Sequence, residues 1–396
     1  MKLIQPGCSV ICRSLLLVLS LWLAGCGGKA VDSDYQKEVT RLEARLEELR
    51  PQQPEQASEE DWLRFTSVLY ARSGLTADYH HFAETEQQLK AALQRFPRSA
   101  ELHMLMANLD FKLHRLGAAT EQLSGMPALP QVAVLQADLL LQTGHYREAE
   151  LAYEQLAEQH PGWDNLARLA YYYSNTGREA EADALYVRAQ EKLNVKQMRH
   201  FAWLELQRGI IDLDHGRYDA AREHFELADQ AFSGYWLIEE HLAEVRFLQG
   251  DSRASKKLYG EVLNTRPAPE FVAALAAVEK AEGDQSAVER LYQEADRLFT
   301  EQYGLFPEAA LGHYIDFLSV RDQVDESQLL KLALDNHQLR PNALSKLQLL
   351  KVYERLGDSA KARQLAEEIW QTPWRTREIE KWHHQLVQAG GVGHQG

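Results

Sequence analysis

The sequence predicts an all-α chain, an α-solenoid of stacked helix–turn–helix repeats that ends in a C-terminal capping helix. Three observations predict it. Glycines that each precede a small-residue helix stand at 144, 177, 216, 250, 283 and 357, with separations of 33, 39, 34, 33 and 74, the last being two units of 37. A period near 34 is that of a helix–turn–helix unit. Alanines and large apolar residues recur at fixed offsets from those glycines, and no segment of note alternates at strand period.

The chain opens on a secretory pattern. Lys2 and Arg13 are the only charges in the first 25 residues, and Ser14 to Leu23 is almost wholly apolar. A charged start and a short apolar run make a signal segment over 1–25, too short for a stable transmembrane helix, which needs about 20 residues. Leu23-Ala24-Gly25-Cys26 resembles the bacterial lipobox. The resemblance implies cleavage before Cys26, a diacylglyceryl thioether on its sulfur and acylation of the new amino group, which together anchor a protein firmly. Gly27 and Gly28 follow in place of the aspartate that marks inner-membrane retention, so the resemblance implies the outer membrane, facing the periplasm. Cys8 and Cys12 leave with the signal, so the mature chain has no pair of thiols for a disulfide.

The formal charge is −15, and loss of Lys2 and Arg13 takes it to −17. Such a chain repels nucleic acid and is unsuited to lying flat on anionic lipid; solubility accounts for the charge. Residues 27–34 read as a flexible leader within a lipidated N-terminal region, 26–60. Tyr35, Val39, Leu42, Leu46 and Leu49 form an apolar stripe at heptad spacing. A helix resting on the body and a weak dimer contact through 35–49 both fit it. Residues 51–60 form a breaker-rich linker.

The repeat is clearest in the unit from Pro130 to Pro161. Ala137 and Ala149 are small where two helices cross, Leu140 packs one turn on, Gly144 takes the turn, Tyr146 covers it, Tyr153 and Leu156 face the next unit, and Pro161 ends the second helix. The same offsets carry Ala170, Gly177, Ala182 and Tyr186; Gly209, Gly216, Ala221 and Phe225; Ala243, Gly250, Ser255 and Tyr259; Ala276, Gly283, Val288 and Tyr292; and Tyr353, Gly357, Ala362 and Ala366. This pattern resembles the tetratricopeptide repeat and covers most of 61–388. Three stretches depart from it: 61–97 with a turn expected at Ser73-Gly74, 98–127 with Gly117 and a shortened second helix, and 306–340, which lacks the turn glycine. Trp374 to Gln388 reads as one terminal helix covering the last unit, and 389–396 as a frayed tail.

No motif supplies catalysis. His-Glu-x-x-His, Gly-x-Ser-x-Gly, a P-loop and Cys-x-x-Cys are all missing from the sequence. Gly391-x-Gly393-x-x-Gly396 has no helix after it. Of 15 histidines, only His80-His81 (with Glu84) and His383-His384 are adjacent, and neighbours on a helix do not face each other. The reading is no enzyme, no cofactor and no metal, with a metal-assisted enzyme as the remote alternative.

The tetratricopeptide resemblance places partner binding on the concave face. Mapped residue by residue, the lining positions are Tyr171 and Ser174, then Trp203, Leu206, Ile210 and Leu213, then Glu240, Glu244 and Phe247. An apolar patch flanked by carboxylates fits a peptide with apolar anchors and some basic residues. The competing account is that a tight superhelix buries these side chains. The Lys, Arg and Asn set that clamps C-terminal carboxylates in part of the family is replaced here by aromatic, aliphatic and acidic residues. The expected function is a membrane-anchored periplasmic adaptor in envelope biogenesis; the alternative is a self-associating structural subunit of an envelope assembly.

Overall fold

A computed structural model describes residues 32–388. By contacts, the chain divides into Met1–Asp32 and Ser33–Gly396, and every described helix belongs to the second unit. The expected signal segment 1–25, the expected lipid attachment at Cys26 and the expected tail 389–396 lie outside the described residues.

The unit is all helical among the described residues. It begins with α1 (Asp34–Leu49). Nine hairpins come after it: α2 (Glu59–Thr76) and α3 (Tyr79–Arg95), α4 (Ala100–Lys112) and α5 (Leu116–Leu123), α6 (Pro130–Gln142) and α7 (Tyr146–Gln159), α8 (Trp163–Ser174) and α9 (Glu179–Glu191), α10 (Met198–Asp214) and α11 (Tyr218–Ala231), α12 (Trp236–Leu248) and α13 (Ser252–Thr265), α14 (Pro269–Glu282) and α15 (Gln285–Leu305), α16 (Pro307–Ser319) and α17 (Glu326–Leu339), and α18 (Ala343–Arg355) and α19 (Ser359–Trp370). The chain closes on α20 (Arg377–His383) and a π-helical turn, His384–Gln388. It is an α-solenoid of tetratricopeptide-like hairpins.

The turns explain the glycine period. All six recurrent glycines have φ between 71° and 86°, the left-handed region where a side chain is costly. After each, the next N–H bonds back five residues, as His145 N does to the Leu140 carbonyl at 2.9 Å and Asp358 N to that of Tyr353 at 2.9 Å, which satisfies a free carbonyl at the helix end. In Gly250-Asp251, Gly283-Asp284 and Gly357-Asp358 the aspartate then caps the next helix, accepting from Ala254 N, Ala287 N and Lys361 N. The small crossing residues Ala137, Ala149, Ala170, Ala182, Ala221, Ala243 and Ala276 are all fully buried.

Two expected turns lie elsewhere. Helix α2 runs through Ser73-Gly74, and the reversal comes at Ala77, φ 48°, where Asp78 caps α3 by accepting from His80 N and His81 N. In the next unit Gly117 sits inside α5, and His114, φ 59°, takes the left-handed position, followed by the same bond back from Arg115 N to the Asp110 carbonyl. The second helix there is indeed short, at 8 residues. The C-terminal helix is shorter than expected: Trp374, 3% exposed, lies in the loop before α20 and packs against Tyr146 at 5.2 Å between ring centres.

The solenoid winds back onto itself. Asn342 Nδ2 donates to the Gln142 carbonyl (3.0 Å), Ala343 N to Tyr146 Oη (2.5 Å), Arg375 N to the Asn175 carbonyl (2.7 Å), and Arg266 to the carbonyls of Thr76 (3.2 Å) and Ala77 (3.1 Å). These pairs are 189 to 200 residues apart, close to six periods of about 34. Turns within hairpins on one coil therefore meet loops between hairpins on the next. A Cβ on Gly144 would lie 2.5 Å from the Pro341 carbonyl oxygen, so that position needs glycine for closeness as well as for φ.

Helix α1 rests on this body. Tyr35, Leu42 and Leu46 are 5%, 6% and 2% exposed, Tyr35 stacks on Tyr235 at 5.7 Å, and Tyr35 N donates to the Ser233 carbonyl at 3.1 Å. Of the two readings of the stripe, the helix resting on the body is the one seen, with Val39 and Leu49 only partly buried.

Candidate functional site

The first helices of four consecutive hairpins, α4, α6, α8 and α10, together wall a cavity of about 540 Å³. Phe111, Leu141, Trp163, Tyr171 and Trp203 line it with Asp138, Arg168, Gln142 and Gln207. Trp163 meets Trp203 edge to face at 6.1 Å and stacks on His200 at 4.5 Å. Tyr171 meets Trp374 edge-on at 6.5 Å, so the C-terminal loop closes one end of this aromatic wall.

A polar network fixes the cavity floor. Tyr153 Oη donates to Asp138 Oδ1 at 2.8 Å, and Arg168 Nε lies 3.2 Å from both Asp138 oxygens. Arg168 also reaches Asp164 Oδ2 at 3.4 Å. Burial pushes the Asp138 carboxyl above its usual range, and Arg168 opposes that shift. Asp138 and the half-exposed Asp164 thus share one guanidinium beside the aromatic wall. Such a pocket takes an apolar side chain and favours a cation beside it.

The structure splits the expected lining residues. Tyr171 and Trp203 are in the cavity. Leu206 is not: it is fully buried with Ala202, Phe225 and Trp236, because it stands on the face of α10 that packs on α11 and α12 rather than on the face that carries Trp203 and Gln207. That is a correction. Ile210, Leu213 and Phe247 are partly buried and pack on the same core. Glu240 and Glu244 are partly buried on α12, away from the cavity lining. Burial opposes the charge on His241, but the Glu240 carboxylate bonded to it and the Leu237 carbonyl outweigh that and hold the imidazolium up to about 9. Burial, reinforced by Glu240, pushes Glu244 up. Asp214, exposed at the end of α10, makes no ion pair among the described residues, and its charge raises the Tyr171 hydroxyl further after burial. Asp214 thereby links the aromatic and acidic parts of the inner wall.

Asp138, Trp163, Arg168, Phe111 and Leu141 were not expected. One signal was available: Asp138 stands 33 residues before Tyr171, as Gly144 stands 33 before Gly177, so the same offset carried back one unit finds it. The histidine pairs do not converge on a common point. His81 bonds Thr76 Oγ1 at 2.8 Å, His80 reaches Glu301 at 3.2 Å, Glu84 pairs with Arg72, and His383 stacks on Trp370 at 3.9 Å. Among the described residues no group of three or more His, Cys, Asp or Glu side chains is placed to hold a metal ion.

No protein-family model matches the chain, and no curated protein matches it. Solved structures do. A chain of the Cut9–Hcn1 hetero-tetramer of APC/C is similar over 91% of this chain and 61% of its own length, with 12% identity and a TM-score of 0.47. A tetratricopeptide repeat protein from Parabacteroides merdae is similar over 61% of this chain and 98% of its own, with 17% identity and a TM-score of 0.41. The pilF protein of Pseudomonas aeruginosa is similar over 65% of this chain and 97% of its own, with 17% identity and a TM-score of 0.35. This chain thus spans about three fifths of the Cut9–Hcn1 chain that it matches.

Proposed function

We propose that this protein is a scaffold of the bacterial envelope, anchored through lipid on Cys26 in the outer membrane and facing the periplasm, that holds another protein on its inner wall. The single observation that carries the reading is the aromatic cavity walled by α4, α6, α8 and α10, with the half-exposed Asp164 carboxylate among its lining residues. An apolar side chain of the partner enters between Tyr171, Trp163 and Trp203; one basic residue lies by Asp164 at the start of α8, and another, further along, by Asp214 at the end of α10 and towards Glu240 and Glu244. The lipobox residues support the anchor, and Gly27 and Gly28 support the outer membrane. Burial of Tyr35, Leu42 and Leu46 within the chain favours this reading over a self-assembling subunit that pairs through 35–49.

The test is in-cell crosslinking of the acylated chain beside a Trp203→Ala, Glu240→Ala chain, with partners identified by mass spectrometry. One envelope protein captured by the native chain and lost with the altered one supports the reading. Self-crosslinks alone, unchanged by the substitutions, overturn it.

A further inference from the structure

A net charge of −15 hides one surface of opposite character. Between the middle of α9 and the first turn of α10, Arg188, Lys192, Lys196 and Arg199 are all exposed, and none makes an ion pair among the described residues. Glu191 is the one acid in that stretch. Between these cations stand Val195, 89% exposed, and Met198, 45% exposed. No other large hydrophobic side chain among the described residues is as exposed as Val195. The loop holds it there. Asn194 donates from its backbone (3.0 Å) and its side chain (2.6 Å) to Gln197 Oε1, while Asn194 Oδ1 accepts from Lys196 N at 3.0 Å. This clamp draws the two ends of the loop together and leaves Val195 at its tip.

The patch adjoins the place where the body begins. The Arg199 guanidinium carbon lies 6.0 Å from the Phe232 ring centre. The next residue, Ser233, accepts from Tyr35 N at 3.1 Å and donates from its hydroxyl to Asp34 at 2.9 Å. Arg199 is also near enough to Glu38, on the second turn of α1, to help lower that carboxyl after its hydrogen bond to Arg41. Cys26 precedes Ser33 by seven residues, at most about 25 Å of fully extended chain.

We propose that the α9–α10 loop is a lipid-contacting surface, with Val195 and Met198 entering the headgroup layer of an anionic bilayer and Arg188, Lys192, Lys196 and Arg199 pairing with its phosphates. The geometry suits that partner. Lysine and arginine stems lie along apolar surface while their heads stay in the polar layer, and clustered cations beside a membrane attachment are drawn to anionic lipid. The overall negative charge does not prevent it, because screening over about 8 Å at physiological ionic strength separates this patch from distant acids. A single tether leaves a body free to turn; a second, weaker contact fixes which side faces the bilayer. The inference rests on the proposed lipid anchor and adds an orientation to it.

The test uses the full acylated chain in phosphatidylcholine vesicles containing phosphatidylglycerol. The sequence has cysteine only at 8, 12 and 26, so Val195→Cys adds a single labelling position to the body. Val320→Cys, whose valine is 60% exposed in the turn between α16 and α17, is the control. Each carries an environment-sensitive dye, and brominated lipid serves as quencher. The expected result is strong quenching at 195, little at 320, and at least a threefold fall at 195 when Lys192→Glu and Lys196→Glu are added. No quenching at 195, equal quenching at both sites, or quenching indifferent to charge reversal overturns the proposal. The mass of the purified chain reads acylation separately. A chain without the lipid mass overturns the anchor, and the same dye on that unacylated chain, added to the vesicles, still decides the loop: quenching at 195 supports it and none overturns it.

Discussion

The indole N–H of Trp236 donates to the Leu75 carbonyl at 3.1 Å across 161 residues of chain. Arg266 lies over the same indole, its guanidinium carbon 4.3 Å from the ring centre, while it donates to the carbonyls of Thr76 and Ala77. Those three carbonyls belong to the last turn of α2 and its cap, where a helix has no partners of its own. The C-terminus of one helix is therefore satisfied by the following coil.

Replacing Arg266 by alanine strands two carbonyls and the Glu270 carboxylate, which accepts from Arg266 at 2.8 Å. The expected loss is about 2–4 kcal/mol, read from the urea midpoint, with a larger radius of gyration by small-angle scattering. Arg266→Lys should recover less than half of it, because one ammonium cannot span the same acceptors. An unchanged radius would show that the coils stay together without this residue.

Gly209 is tight for a different reason. A Cβ there would run into the Phe225 ring. Gly209→Ala should cost about 1–3 kcal/mol by overpacking, and Phe225→Leu in the same chain should return part of it, a coupling that a double-mutant cycle measures. Gly260, inside α13, has nothing within 4 Å of its Cβ position, so Gly260→Ala should instead stabilise by about 0.5–1 kcal/mol through helix propensity.

The Glu239 carboxyl titrates late. Burial first, then the charges of Asp229 and Glu261, push it from 4.5 to about 7. The unfolded chain gives up that proton near 4.5 and the folded one near 7, so between these values the folded state holds more protons and stability falls as pH rises. Glu239→Gln should leave the melting temperature unchanged near pH 4 and raise it at pH 8. An equal rise at both would show that the effect is not one of titration.

Trp203 and Leu206 are three residues apart on α10 and should behave oppositely. Trp203→Ala should cut partner capture at least tenfold with helix content intact, as loss of an aromatic anchor does. Leu206→Ala should cost about 2–5 kcal/mol, as a cavity in a packed core does, with little effect on capture by the chain that remains folded. Circular dichroism melts beside the crosslinking assay separate the two.

Much of this architecture could be read from the residues, and the reasons are local. Gly144 and Gly357 reveal their turns because only glycine sits easily at φ near 80°. Ala77 and His114 take φ 48° and 59° with side chains that give no such sign, while Gly74 and Gly117 lie within helices. One offset from the turn glycines sufficed to bring Tyr171 and Trp203 to the same cavity. It failed at Leu206, whose burial depends on neighbouring helices closing over α10. The pairing of residues nearly 200 apart leaves no mark on a 34-residue period, because it follows from small rotations summed over six units.

A coil spring wound until its turns touch has no slack. Contacts such as Gln142–Asn342 and Asn175–Arg375 make this chain such a spring. It cannot lengthen smoothly under load; it extends only when a contact gives way, and then by a step. Each such step would cost the hydrogen bonds that join one coil to the next, Asn342 to Gln142 and Arg375 to Asn175.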